Sequence, residues 1–273
     1  MSADLHIHTN ASDGRLSPLT VIELAQKENL SYIAITDHDT VEGLQRIPRD
    51  THCVLTVIPG IEFSTDLPQR EVHILGYYID INHPELQEQL TILKSSRLGR
   101  ARKMVAKVIE LGYAIDFEQV LAISGQASTL GRPHIARALV EKNYFPSVST
   151  AFAVLLEQGR PAYVPHYKLS PAHIIALIRK AGGIPVLAHP GLIADDSIVI
   201  AMIRAGILGL EVYHPQHNKT EVQKYLQIAQ DYKLTVTGGS DFHAISGRFP
   251  EKLGLFTVPD KLVLNLQQLL DNT

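Results

Sequence analysis

The chain has 273 residues, of which 25 are Lys or Arg and 28 are Asp or Glu, for a formal charge of −3. This length allows one large domain or a domain with an insertion, and the charge excludes a global positive field for long double-stranded nucleic acid. Apolar runs such as 198–203 are far shorter than the ~20 residues that cross a bilayer, so we expect no membrane partner. The single cysteine, Cys53, excludes an internal disulfide. The N-terminal residues lack the basic and apolar regions of a signal peptide. Together with the single cysteine, this favours a cytoplasmic location.

The first third of the sequence predicts strands that alternate in part with helices. A capping serine and a first-turn proline at Ser17-Pro18 begin the first helix. Alternating or continuous apolar runs predict strands at 3–8, 32–36, 54–58 and 72–79.

The last third shows a clearer alternation, which begins at Ser170-Pro171. Helices are predicted from there to 181 and at 198–205, 221–231 and 261–270, and strands at 184–188, 209–213, 234–237 and 255–258. Such spacing is typical of βα units whose strands are mostly parallel.

Residues 84–160 follow a different pattern, with apolar side chains at helical spacing and no convincing strand. Helices are predicted at 84–111, 116–123, 133–141 and 147–157. We therefore predict an α/β framework formed by 1–83 and 161–273 and an all-helical insertion at 84–160 that packs on it as a cap.

Metal-ligating residue types occur near the carboxyl ends of the predicted strands. The two histidines of His6-Ile7-His8 point to the same face of the first strand, and Asp13 follows in the next turn. Later strands contribute the following candidates: His38, Glu62, His73, His189, Asp241 and His243. In parallel βα folds these strand ends form one common face, so the residues are expected to converge on a site for more than one metal ion. Imidazoles and carboxylates without thiolates suit Zn, Mn, Fe or Co.

These segments also resemble a known family. The order DLHIHTNASDG, ITDHDT, GIEFS with HILGY, AHP and GGSDFH is similar to that of the PHP (polymerase and histidinol phosphatase) metallophosphoesterases, and the match spans the whole chain. GRPHIARALVE and EVYHPQHN resemble more narrowly the YciV/TrpH branch, which includes RNase AM and nucleoside 3′,5′-bisphosphate phosphatases.

The resemblance implies a distorted (β/α)7 TIM-like barrel with two or three divalent ions, Mn²⁺, Zn²⁺ or Fe²⁺. It also implies how the ligands group. The first ion would be held by His6, His8, Glu62 and Asp241, the second by Asp13, His38 and His243, and the third by Glu62, His73 and His189. Glu62 would thus bridge the first and third ions. Glu62 and Asp241 are the expected catalytic carboxylates.

Basic residues in the insertion are candidates for binding a second phosphate. Arg132 directly precedes the helix predicted at 133–141, and His134 lies in its first turn. Arg97 and Arg100 lie in the stretch 94–107, which has six basic residues and no acidic one. Arginine presents a planar fork to phosphate oxygens. The alternatives are a solvated helix face for the arginines and a packed core position for His134.

Two histidines that follow the strand 209–213 are candidates for protonating the leaving group. His214 and His217 could each donate a proton or orient the substrate, and we favour His217.

The sequence therefore predicts a metal-dependent phosphoesterase in which cations activate the attacking water. The expected substrates are a small nucleotide, such as a nucleoside 3′,5′-bisphosphate, or a short 5′-phosphorylated RNA. Two alternatives remain at this point: a phosphatase for histidinol phosphate or another small monoester, and a non-catalytic, metal-stabilised module attached to a polymerase.

Overall fold

A computed structural model describes residues 2–48, 55–67, 70–125, 127, 129–165, 167 and 169–271. Its strands are β1 (Ser2–Ile7), β2 (Leu30–Ile35), β3 (Thr56–Leu67), β4 (Arg70–Tyr77), β5 (Ile184–Leu187), β6 (Gly209–Tyr213), β7 (Thr235–Gly238) and β8 (Val258–Pro259). Cys53 and Val54, the latter the first residue of a predicted strand, lie outside the described residues.

The eight strands form one sheet that curls into a nearly closed barrel. Their order is β7-β6-β5-β4-β3-β2-β1-β8. Beyond β7, the chain returns to β1, where the His8 N–H donates to the Phe242 carbonyl at 2.9 Å. The short β8 pairs antiparallel with the start of β1. The predicted α/β class and barrel architecture are confirmed.

The strands β5, β6 and β7 of the last third are parallel, as predicted, whereas β4 in the first third runs in the opposite direction. This strand is antiparallel to both neighbours, β3 and β5, whereas β1 with β2, β2 with β3, β5 with β6, and β6 with β7 are parallel pairs. Only residues 68 and 69 separate β3 from β4, and so short a connection cannot contain the crossover that parallel pairing requires.

The extent of β3 also differs from the prediction, in which Glu62 followed the end of the strand. β3 continues to Leu67 because β4 supplies a hydrogen-bonding partner along its whole second half, with Glu62 opposite Leu75 and Ser64 opposite His73. The metal-ligand candidates Glu62 and His73 therefore project from the middle of the hairpin formed by β3 and β4. The last strand is shorter than predicted, since residues 255 and 256 are bends and only Val258–Pro259 is extended.

Helices cover the outside of the barrel and form the segment between β4 and β5. They are α1 (Pro18–Lys27), α2 (Glu42–Gln45), α3 (Pro84–Glu110), α4 (Phe117–Ser124), α5 (Arg132–Glu141), α6 (Val148–Ala151), α7 (Pro171–Lys180), α8 (Pro190–Ile193), α9 (Asp196–Ala205), α10 (Lys219–Asp231) and α11 (Asp260–Asp271). The predicted helix 147–157 divides into α6 and a π-helical turn, Phe152–Leu156.

The helical insertion has a hydrophobic core of its own. Val105, Val108, Ile135 and Leu139 belong to one buried cluster formed within residues 101–162. The first turns of α3 instead pack into the barrel core through Leu86 and its neighbours. The helix thus connects the two parts rigidly, and the boundaries 84 and 160 stay a prediction. Among the described residues, the longest helices are all too polar to serve as a membrane span.

Candidate metal centre

Strand β1 delivers two imidazoles to one end of the barrel. Leu5 and Ile7 are buried in apolar clusters, so the alternate residues His6 and His8 share the opposite face. Their Nε2 atoms lie 3.1 Å apart, and neither side chain is exposed.

Closure of the barrel brings an aspartate to these histidines. The chain after β7 passes so close to β1 that a Cβ at Gly239 would collide with His6, so only glycine fits there. Two residues later, Asp241 places Oδ1 3.2 Å from Nε2 of His8 and 3.6 Å from Nε2 of His6.

Glu62 lies at the centre of the site and directs its two oxygens to different histidines. Oε1 is 2.8 Å from Nδ1 of His73 and 3.0 Å from Nε2 of His189. Oε2 is 2.9 Å from Nδ1 of His38 and 3.3 Å from Nε2 of His8. This position is the one that a carboxylate shared between two ions would occupy.

Three groups of side chains have ligand atoms within 4.8 Å of one another and could each hold an ion. The groups are His8, Asp13, His38 and His243; His6, His8 and Asp241; and His38, Glu62 and His73. The family resemblance implies three sets drawn from these residues and His189, but it adds Glu62 to the set of His6, omits His8 from the set of Asp13, and has His189 in place of His38 beside His73. His189 lies 3.0 Å from Glu62 Oε1.

The arrangement fits cations better than it fits a hydrogen-bonded core. His38 Nδ1 and Glu62 Oε2 are 2.9 Å apart, yet neither atom makes a hydrogen bond of acceptable geometry, and His8 Nδ1 is also buried without a partner among the described residues. Unpaired buried polar atoms are costly. Their convergence therefore indicates a metal centre.

The electrostatics of the site keep its carboxylates ionised. Burial opposes ionisation of Glu62, but His38 and His73 hold the pKa of this carboxyl well below its usual range. Asp13 is likewise buried, and the neighbouring His243 and His38 hold its pKa well below the usual value. Anionic carboxylates next to imidazoles form an environment that attracts divalent cations.

Two of the candidate ligands have a backbone conformation that side chains rarely adopt. His189 has φ = +27° and Asp241 has φ = +51°. Left-handed conformations of non-glycine residues store strain and concentrate at functional sites, which agrees with the placement of both residues at this centre.

The carboxylate of Asp37 supports the loop that carries Asp13. It accepts hydrogen bonds from Thr9 N–H at 2.7 Å, from the Thr9 hydroxyl at 2.6 Å and from the Ser12 hydroxyl at 2.6 Å. The Asp37 carboxylate therefore stabilises the first loop.

A cavity of about 460 Å³ opens over the metal-ligand cluster. One wall consists of ligand candidates, including Asp13, Glu62 and Asp241, and the opposite wall of residues from the helical cap. Arg97, Arg100, Arg132 and His134 all line this cavity, so the structure brings together the two sets of residues that the sequence singled out separately.

The guanidinium groups of the cap differ in how far they are already paired. Arg97 binds Asp39 through Nε at 2.6 Å and the Ser64 hydroxyl at 2.9 Å. Arg100 donates Nε–H to the Val164 carbonyl at 2.6 Å, while its Nη2 is buried without a hydrogen bond to the described residues. Burial, together with Arg132 and Arg97, lowers the pKa of Arg100 to about 10, which still leaves it cationic at neutral pH.

Arg132 and His134 lie at the first turn of α5. Arg132 Nη2 binds Glu71 Oε2 at 2.6 Å, and its guanidinium stacks near the Phe152 ring in the π-helical turn. His134 Nδ1 accepts the Gly131 N–H at 3.1 Å, and burial lowers its pKa to about 4. His134 is therefore neutral, and Nε2 carries its proton as a hydrogen-bond donor.

The geometry does not support the expected proton donor, His217. Its Nδ1–H donates to the Val212 carbonyl at 2.8 Å, and its Nε2 accepts the Gly191 N–H at 3.0 Å. Both ring nitrogens are thus used to connect β6 with α8, and His217 does not line the cavity. His214 is buried behind the cluster, with Nε2 3.7 Å from Asp241 Oδ2.

Two charged residues at the site were missed by sequence reasoning. Glu211 is fully buried and binds His6 Nδ1 at 2.9 Å; a carboxylate inside the otherwise apolar strand GLEVY was the available signal. Arg248 forms an ion pair with Asp241 and lines the cavity, and no pattern around it distinguishes it from other surface arginines.

Known proteins match both the barrel and this site. A sequence model of the PHP domain matches residues 4–155. The 3′,5′-nucleoside bisphosphate phosphatase of Chromobacterium violaceum is 33% identical over 247 residues, covering 88% of this chain and 87% of the relative. The 5′-3′ exoribonuclease Rnm of Escherichia coli is 33% identical over 251 residues, covering 88% and 84%.

A solved structure shows the same architecture. An inferred metal-dependent phosphoesterase from Bifidobacterium adolescentis superimposes with a TM-score of 0.87 at 32% identity, covering 97% of this chain and 95% of that one. The barrel, the ligand clusters and these relatives define the protein as a metal-dependent phosphoesterase, and thus as a hydrolase. The chain belongs to the PHP domain family.

Proposed function

We propose that the protein hydrolyses phosphate esters of small nucleotides that carry more than one phosphate. Its substrates would be nucleoside 3′,5′-bisphosphates, from which it removes the 3′-phosphate, and short 5′-phosphorylated RNA, which it would shorten from the 5′ end. The observation that carries the proposal is that the ligand cluster and three cap arginines face one cavity.

The ligand groups would hold two or three divalent ions, of which Mn²⁺, Zn²⁺ and Fe²⁺ suit imidazole and carboxylate donors. When bound, such ions supply positive charge to the phosphate oxygens and acidify the attacking water. Glu62 would contact two of them, because its oxygens face separate histidine sets. Asp241 would hold one ion together with His6 and His8, whose Nε2 atoms lie near its Oδ1.

The cap would bind the phosphate that does not react. Arg100 offers an unpaired Nη2, and Arg132 can exchange its contact with Glu71 for a phosphate oxygen at the same cavity wall. His134 adds a neutral donor. Arg97 is paired with Asp39, so its role is to contribute charge and to position the Ser64 hydroxyl.

The relatives support this substrate class. One is a 3′,5′-nucleoside bisphosphate phosphatase and another a 5′-3′ exoribonuclease, and both reactions act on a nucleotide with phosphates on either side of a ribose. A single small monoester, such as histidinol phosphate, would leave the Arg100 Nη2 without a phosphate partner.

The test is a substrate panel on protein whose metal content has been measured. Adenosine 3′,5′-bisphosphate and a 5′-phosphorylated trinucleotide are compared with adenosine 3′-monophosphate, histidinol phosphate and an aryl phosphate. We expect the two substrates with an additional phosphate to have kcat/KM values at least about tenfold higher, the effect of one charge-assisted hydrogen bond. A preference for histidinol phosphate, or equal values throughout, would overturn the proposal.

A further inference from the structure

A second cavity of about 470 Å³ lies beside the first, between the loop after β1 and the cap helices α4 and α5. The two cavities have His134 in common, and the adjoining residues Asp13 and Gly14 line the first and the second, respectively. The two cavities are therefore neighbours, separated by the His134 side chain and the Asp13-Gly14 turn.

Two arginines make this second cavity cationic. Arg137 lines it one helical turn beyond His134, and its Nη2 donates to the Asp13 carbonyl while its buried Nε makes no hydrogen bond to the described residues. Arg15, on the barrel side, is exposed, and no hydrogen bond or ion pair of its guanidinium is seen with the described part of the chain. Burial lowers the pKa of Arg137; the Asp13 carboxylate opposes this effect and the charge of Arg15 adds to it. Among the described lining residues, Glu141 is the one acid.

The remaining lining of the second cavity combines polar residues, including Asn10 and Glu141, with an apolar patch. Ile123, Val140 and Val148 form this patch beside Ser124. A nucleotide has this combination of groups, a charged phosphate and an apolar base face, whereas an inorganic anion would use only the arginines.

We propose that the second cavity binds the next nucleotide of a single-stranded oligonucleotide, with the phosphate on the 3′ side of that nucleotide between Arg15 and Arg137. The inference rests on the proposed function, since it assumes that the scissile phosphate lies at the ligand cluster. It extends that function by assigning a subsite that a nucleoside bisphosphate does not reach. Oligonucleotide and bisphosphate would then share the metal centre and the cap arginines but differ in their use of Arg15.

The experiment compares Arg15→Ala with the parent on two substrates, adenosine 3′,5′-bisphosphate and a 5′-phosphorylated tetranucleotide RNA. Arg15 is the suitable position because its guanidinium pairs with none of the described residues, whereas Arg137 supports Asp13. The matched control is Arg179→Ala, an exposed arginine at the end of α7 that precedes the start of β5, at the opposite end of the strands from the ligands.

We expect Arg15→Ala to lower the ratio of kcat/KM for the tetranucleotide to that for the bisphosphate by about tenfold, the effect of one charge-assisted contact. The control should leave the ratio unchanged. A ratio that stays unchanged in Arg15→Ala, whether both kcat/KM values are retained or both fall equally, would overturn the inference.

A binding measurement separates this inference from the proposed function. The affinity of a 3′-labelled tetranucleotide is followed by fluorescence anisotropy in chelator at several salt concentrations. Loss of one phosphate contact should reduce the slope of log K against log salt by about 0.7. If the parent hydrolyses neither substrate, the proposed function fails. The salt slope still tests the subsite independently, and a slope that Arg15→Ala leaves unchanged would show that Arg15 binds no phosphate.

Discussion

His6 and Glu211 form a hydrogen bond of 2.9 Å between Nδ1 and Oε1, and both side chains are completely buried. Because Nδ1 faces the carboxylate, Nε2 is the nitrogen that faces His8, Glu62 and Asp241. Glu211 Oε2 also accepts the backbone N–H of His189 at 2.8 Å. One carboxylate thus orients a ligand candidate on β1 and another in the turn between β5 and α8.

Glu211→Gln should weaken metal binding without unfolding the protein. Carboxylates that orient metal-bound histidines contribute about 10- to 100-fold to metal affinity, and the amide keeps the size of the side chain while it loses the charge. Metal affinity is measured by titration of the chelated protein, with Glu23→Gln, on the exposed face of α1, as the matched control. An affinity within twofold of the parent would remove Glu211 from the metal centre.

Glu62→Gln should reduce kcat by at least about 100-fold at saturating metal, more than any single histidine substitution. The physical reason is that both oxygens of Glu62 face ligand candidates, so the amide weakens two metal positions and their relative spacing. Steady-state kinetics with metal analysis check this. A rate within about threefold of the parent would show that Glu62 does not bridge.

Removing the metal should lower thermal stability. Ions that bind only the folded cluster stabilise it by about 2.7 kcal/mol at 100 times their dissociation constant, which corresponds to about 5–10 °C in Tm for a chain of this size. Thermal unfolding is recorded in chelator and again after addition of Mn²⁺ or Zn²⁺. Identical Tm values under both conditions would contradict the presence of a metal centre.

Arg132→Ala should slow hydrolysis of a nucleoside 3′,5′-bisphosphate by about tenfold to 100-fold and hardly affect an aryl phosphate. A charge-assisted hydrogen bond to phosphate contributes about 1.5–3 kcal/mol, and Arg132 lies on the cavity wall opposite the ligand cluster. The kcat/KM values for the two substrates are compared, again with Arg179→Ala as the control. Equal losses on both substrates would indicate a folding defect and remove the cap from phosphate recognition.

His217→Ala should destabilise the fold and leave the chemistry in place. The substitution removes the acceptor of the Gly191 N–H and the donor to the Val212 carbonyl, which costs about 1–3 kcal/mol for the groups left unpaired. Denaturant unfolding measures the loss, and the pH dependence of kcat/KM checks the reaction. Disappearance of one limb of the pH profile would instead restore His217 as the proton donor.

The sequence by itself determined the elements and the chemical type of the site. Strand and helix periodicities and the Ser-Pro helix starts depend on neighbours within a few positions, so β6 and the helices of the insertion could be predicted almost residue by residue. The ligand types could be recognised for the same reason: HIH, TDH and SDFH are contiguous segments, and their residues carry the chemistry wherever the chain places them.

Only the tertiary structure decided which of these residues meet. Glu211 and His6 are 205 positions apart, and no local pattern encodes a contact that arises when the barrel closes. The antiparallel β4 places Glu62 in the middle of a hairpin, and backbone groups of α8 and β6 each occupy one nitrogen of His217. Such pairings depend on how distant strands pack against one another in the closed barrel. Local periodicity depends only on neighbours in the sequence, so it cannot specify them.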